Sequence, residues 1–470
     1  MPLVAGIDSS TQSCKVVITD ADTGVVVRSA SAKHPGGTEV DPRHWLAAYE
    51  EAIEKAGGVA DVASISVGGQ QHGMVLLDEE GEVVRPALLW NDTRSAPQAR
   101  SLIQLLGKSE PQSGEKAWAG LTGSVPVASF TVTKLRWVLE NEPEAMKRAV
   151  AVCLPHDWLS WKISGSKDIN DLFTDRSDAS GTGYWSSVSQ NYLPEIIELA
   201  AGKLLHVPKV LSPFEQAGTL PNGTILAAGM GDNAAAAFGL GASTGQAILS
   251  LGTSGVVSVI ATSPTKDASG LVAGFADGTG NYLPLACTLN GALVIDSTAE
   301  LLGVSHDQFA QLAISAPEGS GGLTILPYFE GERTPNLPEA TGSIFGVTGS
   351  NFNKANIARS AIEGLMCGLA DALEAITSQG VKVDKLALVG GAGKNQAVQE
   401  IAPQIFGMDI SLPEPGEYVA LGAARQAASA LAGKEVKWES ARSKNLTGAL
   451  DQKTRAAYSI AKENYLNFKN

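Results

Sequence analysis

The 470-residue chain predicts an α/β fold in two domains, on three observations. Apolar strand-like runs alternate with helix-period stretches, two hairpin patterns echo each other across the halves, and two buried-type strands end in glycine turns. In order, the strand runs 16–18, 25–27 and 65–67 are separated by a helical stretch at 45–55, and the second half alternates likewise. Residues 451–468 read as a closing helix. The small, flexible run Gly239-Leu240-Gly241-Ala242-Ser243-Thr244-Gly245 supplies a division, so domains are expected at 1–242 and 243–470.

Each half opens on the same plan. Gly6-Ile7-Asp8-Ser9-Ser10-Thr11-Gln12-Ser13-Cys14-Lys15-Val16-Val17 reads as an apolar strand, a small polar turn and an alternating strand, which is a β-hairpin. Leu249-Ser250-Leu251-Gly252-Thr253-Ser254-Gly255-Val256-Val257 repeats it, with Thr11 and Thr253 at matching places. Such small turns leave backbone N–H groups and hydroxyls free to hold phosphate oxygens. A lone hairpin of this kind is more often plain sheet, but one at the head of each half is harder to dismiss.

The glycine turns come next. Residues 62–67 run into Gly68-Gly69-Gln70-Gln71-His72-Gly73, and 386–389 into Gly390-Gly391-Ala392-Gly393-Lys394-Asn395. The second leads into a helix, an arrangement that cradles phosphate with backbone donors, although it is not a Walker A loop, because no GKS or GKT follows. The first carries side chains instead, and Gln71 with His72 can bond a polyhydroxylated substrate. A third junction, Gly229-Met230-Gly231-Asp232-Asn233, places a carboxylate where the apolar run 225–228 meets an alanine-rich helix. Asp232 there is a candidate general base, or else merely the helix cap that Asp often provides.

Composition bounds the rest. The chain is long enough for two cores, and its 44% hydrophobic content is that of an ordinary globular protein. Cys14, Cys153, Cys287 and Cys367 are far apart without a CxxC pair, which argues against zinc and disulfides and fits a reducing, cytoplasmic setting. No basic leader or membrane-length apolar run is seen. A formal net charge of −14 disfavours nucleic-acid and membrane partners.

Taken together, Asp8 with Thr11, Gly69-Gln70-Gln71-His72-Gly73-Met74, Trp90-Asn91-Asp92-Thr93-Arg94, Gly231-Asp232-Asn233, Gly252-Thr253-Ser254-Gly255 and Gly390-Gly391-Ala392-Gly393 occur in an order that resembles the FGGY carbohydrate kinases, most closely the xylulokinases among them. The resemblance spans nearly the whole chain. It implies two RNase H-like domains of the actin and hexokinase type flanking a catalytic cleft, which close over a sugar and ATP. It implies ATP-dependent phosphorylation of a ketopentose, D-xylulose to D-xylulose 5-phosphate, in pentose catabolism, with Mg²⁺. By that resemblance Gln71, His72, Trp90, Asn91, Asp232 and Asn233 line the sugar pocket in the first domain. Thr11, Thr253, Gly391, Ala392 and Gly393 hold phosphates or nucleotide, Asn395 reaches the adenosine, and Asp8 takes Mg²⁺ directly or through water. Expected partners are the sugar, ATP and a second copy of the chain in a homodimer.

The chain departs from the family pattern at Ser10, where many members have glycine, and at Gln71, where xylulokinases often have methionine. The second departure touches the pocket, so ribulose, glycerol or another polyol stays open as acceptor. From another class, an actin-like nucleotide-gated binding protein also stays open, although a switch needs no acceptor base. Glu330-Gly331-Glu332-Arg333-Thr334-Pro335 is expected to be structural, with Arg333 paired locally, and Thr174-Asp175 with Asp178-Ala179-Ser180 to order a loop.

Overall fold

The computed structural model describes residues 2–108, 110, 112–439 and 441–469. Two compact units are present, and neither is continuous in sequence. The first comprises Met1–Ala242, Thr262–Leu283 and Gly416–Ser440, and the second Ser243–Ala261, Pro284–Pro415 and Ala441–Asn470. Residues 262–283 and 416–440, which a single division at 242 assigns to the second half, thus pack with the first unit.

The sheet of the first unit runs Val26–Lys33, Ser13–Asp20, Leu3–Ser9, Val62–Gly69, Ile225–Ala227, Gln216–Thr219. The first three strands are antiparallel neighbours, the next two join in parallel, and the last is antiparallel at the edge. Both expected glycine and hairpin signals fall where this order needs them. Ser9 pairs with Cys14 across the small polar turn, and 62–69 is buried at all positions but one. The helix Arg43–Lys55 buries Trp45, Ala48, Tyr49 and Ala52, a helical spacing that puts one face against the sheet. With Trp158 and Trp161 these residues form the main core of the unit.

On the other face lies Tyr418–Ala432, whose small residues bring backbone to backbone. A Cβ added at Gly6 would lie 1.9 Å from Ala420 O, and one at Gly422 would lie 1.8 Å from Ala235 O. This helix therefore touches both the strand that carries Asp8 and the helix Asp232–Gly239 that begins at Asp232.

The second unit repeats the plan in the order Tyr282–Thr288, Gly255–Val259, Gln246–Leu251, Lys385–Val389, Ile410–Pro413, Ser443–Leu446. The sequence of antiparallel and parallel pairings is the same as in the first sheet. Three antiparallel strands continued by two parallel ones make the RNase H-type sheet, so the echo between the halves is a duplicated fold. The 24-residue helix Lys354–Thr377 is buried along most of its length, and the closing helix Gln452–Lys469 packs in this unit through Tyr458 and Tyr465. All four cysteines are free. No helix among the described residues is long and apolar enough to cross a membrane.

Candidate active site

In the first unit, parallel pairing sets Asp8, Gly68 and Met230 side by side, and the next row holds Ser9, Gly69 and Gly231. Three strands therefore end together, and their continuations converge: Gln70, Gln71 and His72 leave the middle strand, while Asp232 and Asn233 leave its neighbour. Carboxyl ends of parallel strands are where α/β sheets place their ligands.

Asp232 is half-buried and does not cap its helix. The cap position belongs to Gly231, while the Asp232 carboxylate accepts from the Asn233 N–H at 2.7 Å and from Asn233 Nδ2 at 3.0 Å. Burial first, and then the charge of Asp8, push its pKa up to about 7. Asp8 is 4% exposed, and its Oδ1 has no partner. Burial raises its pKa to about 7 as well, with Lys15 opposing and Glu417 adding to the rise. Both carboxylates are thus recessed, and burial favours the protonated form of each.

Around them, Asn233 Nδ2 also donates to Gln71 Oε1 at 2.9 Å, and Gln71 Nε2 donates to Ser177 O at 3.4 Å. His72 adopts φ 67°, a left-handed conformation that a side chain rarely takes, and Thr131 Oγ1 holds its carbonyl. Its ring stacks on Phe130, with centroids 4.9 Å apart, and Nδ1 lies 2.6 Å from Gly181 O. A carbonyl can only accept, so Nδ1 carries a proton and donates it to Gly181 O. Trp90 is 44% exposed, and its Nε1 donates to Thr11 Oγ1 at 2.9 Å. Thr11 in turn donates to Gln70 Oε1. Asn91 Oδ1 is buried without a partner, whereas Asp92 and Arg94 are bonded to each other.

Sequence reasoning missed the layer beneath. His156 is fully buried between the strand ends: a Cβ at Gly69 would lie 2.6 Å from His156 Cβ, and one at Gly229 2.4 Å from its ring. Burial opposes its charge, but Asp157 and Asp178 hold its pKa up to about 10, and the Asp178 carboxylate lies 2.6 Å from Nδ1. The loop of Asp178 is ordered as expected, with Asp175 capping Arg176–Ala179. It also reaches the site, since Ser177 Oγ accepts from Gly231 N at 3.0 Å. The polar run 174–178 was the available signal, but nothing in it names His156.

In the second unit, a cavity of about 680 Å³ gathers Thr253, Gly391, Ala392 and Asn395 of the expected residues. Thr253 sits in the hairpin turn between Leu251 and Gly255, and Gly390 has φ 96° and lies so close to the neighbouring strand that a Cβ would meet Leu251 O at 2.5 Å, both of which call for glycine. Asn395 caps Gln396–Phe406, accepting from Ala397 N and Val398 N, so this helix begins at the cavity. Gly393 is buried behind the turn, against Leu388 and Leu412. Ala292, Ile295 and Ala310 form an apolar wall that no motif announced. In the acidic turn, Glu332 makes the structural bonds. It accepts from Leu289 N and Asn290 Nδ2, and the adjoining Gly291 lies against the backbone of 252–254.

The duplicated RNase H-type fold thus carries a recessed carboxylate pair in one unit and a glycine turn beside an apolar slot in the other. The chain matches the FGGY family of carbohydrate kinases over its N-terminal domain at residues 3–242 and its C-terminal domain at 247–431, and it belongs to that family. It is 45% identical over 448 residues to the xylulose kinase of Streptomyces coelicolor, covering 92% of this chain and 89% of that one. The xylulose kinase of Escherichia coli is 33% identical, with 90% and 89% covered. The crystal structure of xylulose kinase from Bifidobacterium adolescentis superposes with a TM-score of 0.94 at 46% identity, over 98% of this chain and 99% of that one.

Proposed function

We propose that the protein transfers the γ-phosphoryl group of ATP to D-xylulose, giving D-xylulose 5-phosphate and ADP. The observation that carries the reading is the carboxylate of Asp232, held at about 7 at the start of a helix that it does not cap. A base of that pKa accepts the proton of the acceptor hydroxyl at neutral pH as the new O–P bond forms and the bond to the ADP oxygen breaks. The amides of Gln71 and Asn233 and the unpartnered Asn91 oxygen supply both donors and acceptors, which suits a substrate carrying a hydroxyl on every carbon but one. Trp90 offers an exposed aromatic face beside them. In the second unit Thr253, the 391–392 backbone and the start of Gln396–Phe406 suit the phosphates, and the apolar wall suits the base.

His72→Ala and Gln71→Ala are expected to lower kcat/KM for D-xylulose by roughly 5- to 150-fold each, the worth of about 1–3 kcal/mol for a polar group left without its partner. The KM for ATP stays within about twofold. Kinetics on D-xylulose, D-ribulose and glycerol check this. Equal losses on all three, or a raised KM for ATP, would remove these residues from sugar recognition.

The donor set at Asp8 fits Mg²⁺, which takes one or two carboxylate oxygens and keeps water and phosphate oxygens as its other ligands. The buried, unpartnered Oδ1 is such an oxygen. Asp8 would hold the ion, whose charge offsets that of the transferred phosphate group. Asp8→Ala is expected to raise the Mg²⁺ needed for half-maximal turnover by roughly tenfold or more, with sugar binding unchanged. Superimposable Mg²⁺ titrations of variant and parent would make Asp8 a turn residue only.

A further inference from the structure

Between Ile225–Ala227 and Met230–Gly231 the strand that leads to Asp232 is interrupted, and the interruption contains Gly229 at φ 87°. A strand break that runs on through glycines is where backbone direction is least determined. Here both polar groups of Gly229 are held by one side chain from almost two hundred residues further on. Gln426, on the helix Tyr418–Ala432, accepts from Gly229 N at 3.0 Å and donates to Gly229 O at 2.7 Å. That pair of bonds copies what a neighbouring strand would make. Its remaining donor goes to Pro213 O at 3.2 Å, and its remaining acceptor site takes Ser66 Oγ. The amide is fully satisfied and fully buried, so it has one orientation only. The His156 ring also closes on Gly229, and two residues later Ser177 Oγ takes Gly231 N. Alternate peptides ahead of Asp232 are thus pinned by side chains.

We propose that Gln426 is a positioning residue for phosphoryl transfer, acting through Gly229 to aim the Asp232 carboxylate at the acceptor hydroxyl. This rests on the reading of Asp232 as the base. Gln426 does not touch the substrate. Releasing its two bonds lets the 229–231 segment swing about its glycines, and a displacement of about 1 Å at a catalytic group costs on the order of 10²-fold in rate.

The test is a kinetic cycle on Gln426→Met and Asp232→Asn. Methionine keeps the length and volume of glutamine and makes neither bond to Gly229. The expected result is a fall in kcat of roughly 10- to 100-fold with both KM values within about threefold, and no further fall when the substitution is added to Asp232→Asn. Ser66→Ala, which takes one bond from the same amide and leaves Gly229 clamped, serves as the buried control and stays within about threefold of the parent. If the methionine variant does not fold, Gln426→Glu, which retains an acceptor for Gly229 N and loses the donor to Gly229 O, carries the same cycle. An unchanged kcat, a loss confined to KM, an equal loss in Ser66→Ala, or the same factor of loss in the Asp232→Asn background would each overturn the positioning role. Turnover of Asp232→Asn alone within a few-fold of the parent would instead overturn the reading beneath it.

Discussion

Replacing Asp232 by Asn is expected to lower the turnover of D-xylulose by roughly 10²- to 10⁴-fold, the usual worth of a general base, while leaving a folded protein. The amide matches the carboxylate in size but does not take up the hydroxyl proton. No helix cap is lost, because the cap position is Gly231. The same substitution is expected to make the protein more stable at alkaline pH. Asp232 is raised from its ordinary 3.8 to about 7, so the folded state keeps a proton that the unfolded state has released. The ionised carboxylate therefore works against folding, with the effect absent below about pH 4, growing from there to about pH 7 and fully present above it. Asn has no charge to bury. Melting of ligand-free parent and variant should coincide near about pH 4 and separate by about pH 8, with the variant melting higher. In the parent, kcat/KM for the sugar should fall as the pH drops below about 7, where the base of the free enzyme becomes protonated. Retained activity within a few-fold would take Asp232 out of the mechanism, and a lower melting temperature of the variant at about pH 8 would show that the carboxylate is structural.

Asp232 stands among side chains supplied by several separate stretches of the chain. Its surroundings divide by how far the responsible contacts reach. Both hairpins, both glycine turns and the junction at Asp232 are written in short stretches, because a polar turn between two apolar runs and a glycine at a strand end act within a few residues. They were legible, and so was the duplication they imply. The supports of the site were not. His156 meets Asp178 across 22 positions and Gln426 meets Gly229 across 197, and neither residue stands in a pattern that betrays its partner. The small-residue linker at 239–245 marks a junction, but it carries no information that Tyr418–Ala432 returns to the first unit. That return depends on backbone-to-backbone contacts at Gly6, Gly239 and Gly422. The apolar wall of the cavity in the second unit escaped for a different reason: Ile295 and Ala310 on helices look like any buried face until the space in front of them is seen.

Gly422→Ala is expected to destabilise the protein by roughly 2–4 kcal/mol, against the direction that helix propensity alone gives. Glycine inside a helix is about 1 kcal/mol worse than alanine, and Gly422 lies within Tyr418–Ala432, so an unpacked helix would gain from the change. Packing decides otherwise. The new Cβ would stand 1.8 Å from Ala235 O and 2.6 Å from Ala235 C, while Gly239 on the facing helix is equally committed, its own Cβ position being 2.1 Å from Tyr418 O. Both neighbours are backbone, so no rotamer change relieves the contact, and the two helices have to part. Parting them moves the helix that begins at Asp232 and strips Gly6 of its close partner, so turnover should fall along with stability. Gly120→Ala is the matched control. That glycine is exposed on the helix Ser113–Thr122 with nothing within 4 Å of its Cβ position, and the change should stabilise by about 0.5–1 kcal/mol. Urea unfolding of the parent and the two variants gives both values. If the two substitutions shift the midpoint in the same direction, the close crossing of Tyr418–Ala432 with Asp232–Gly239 is not what holds this helix in the first unit.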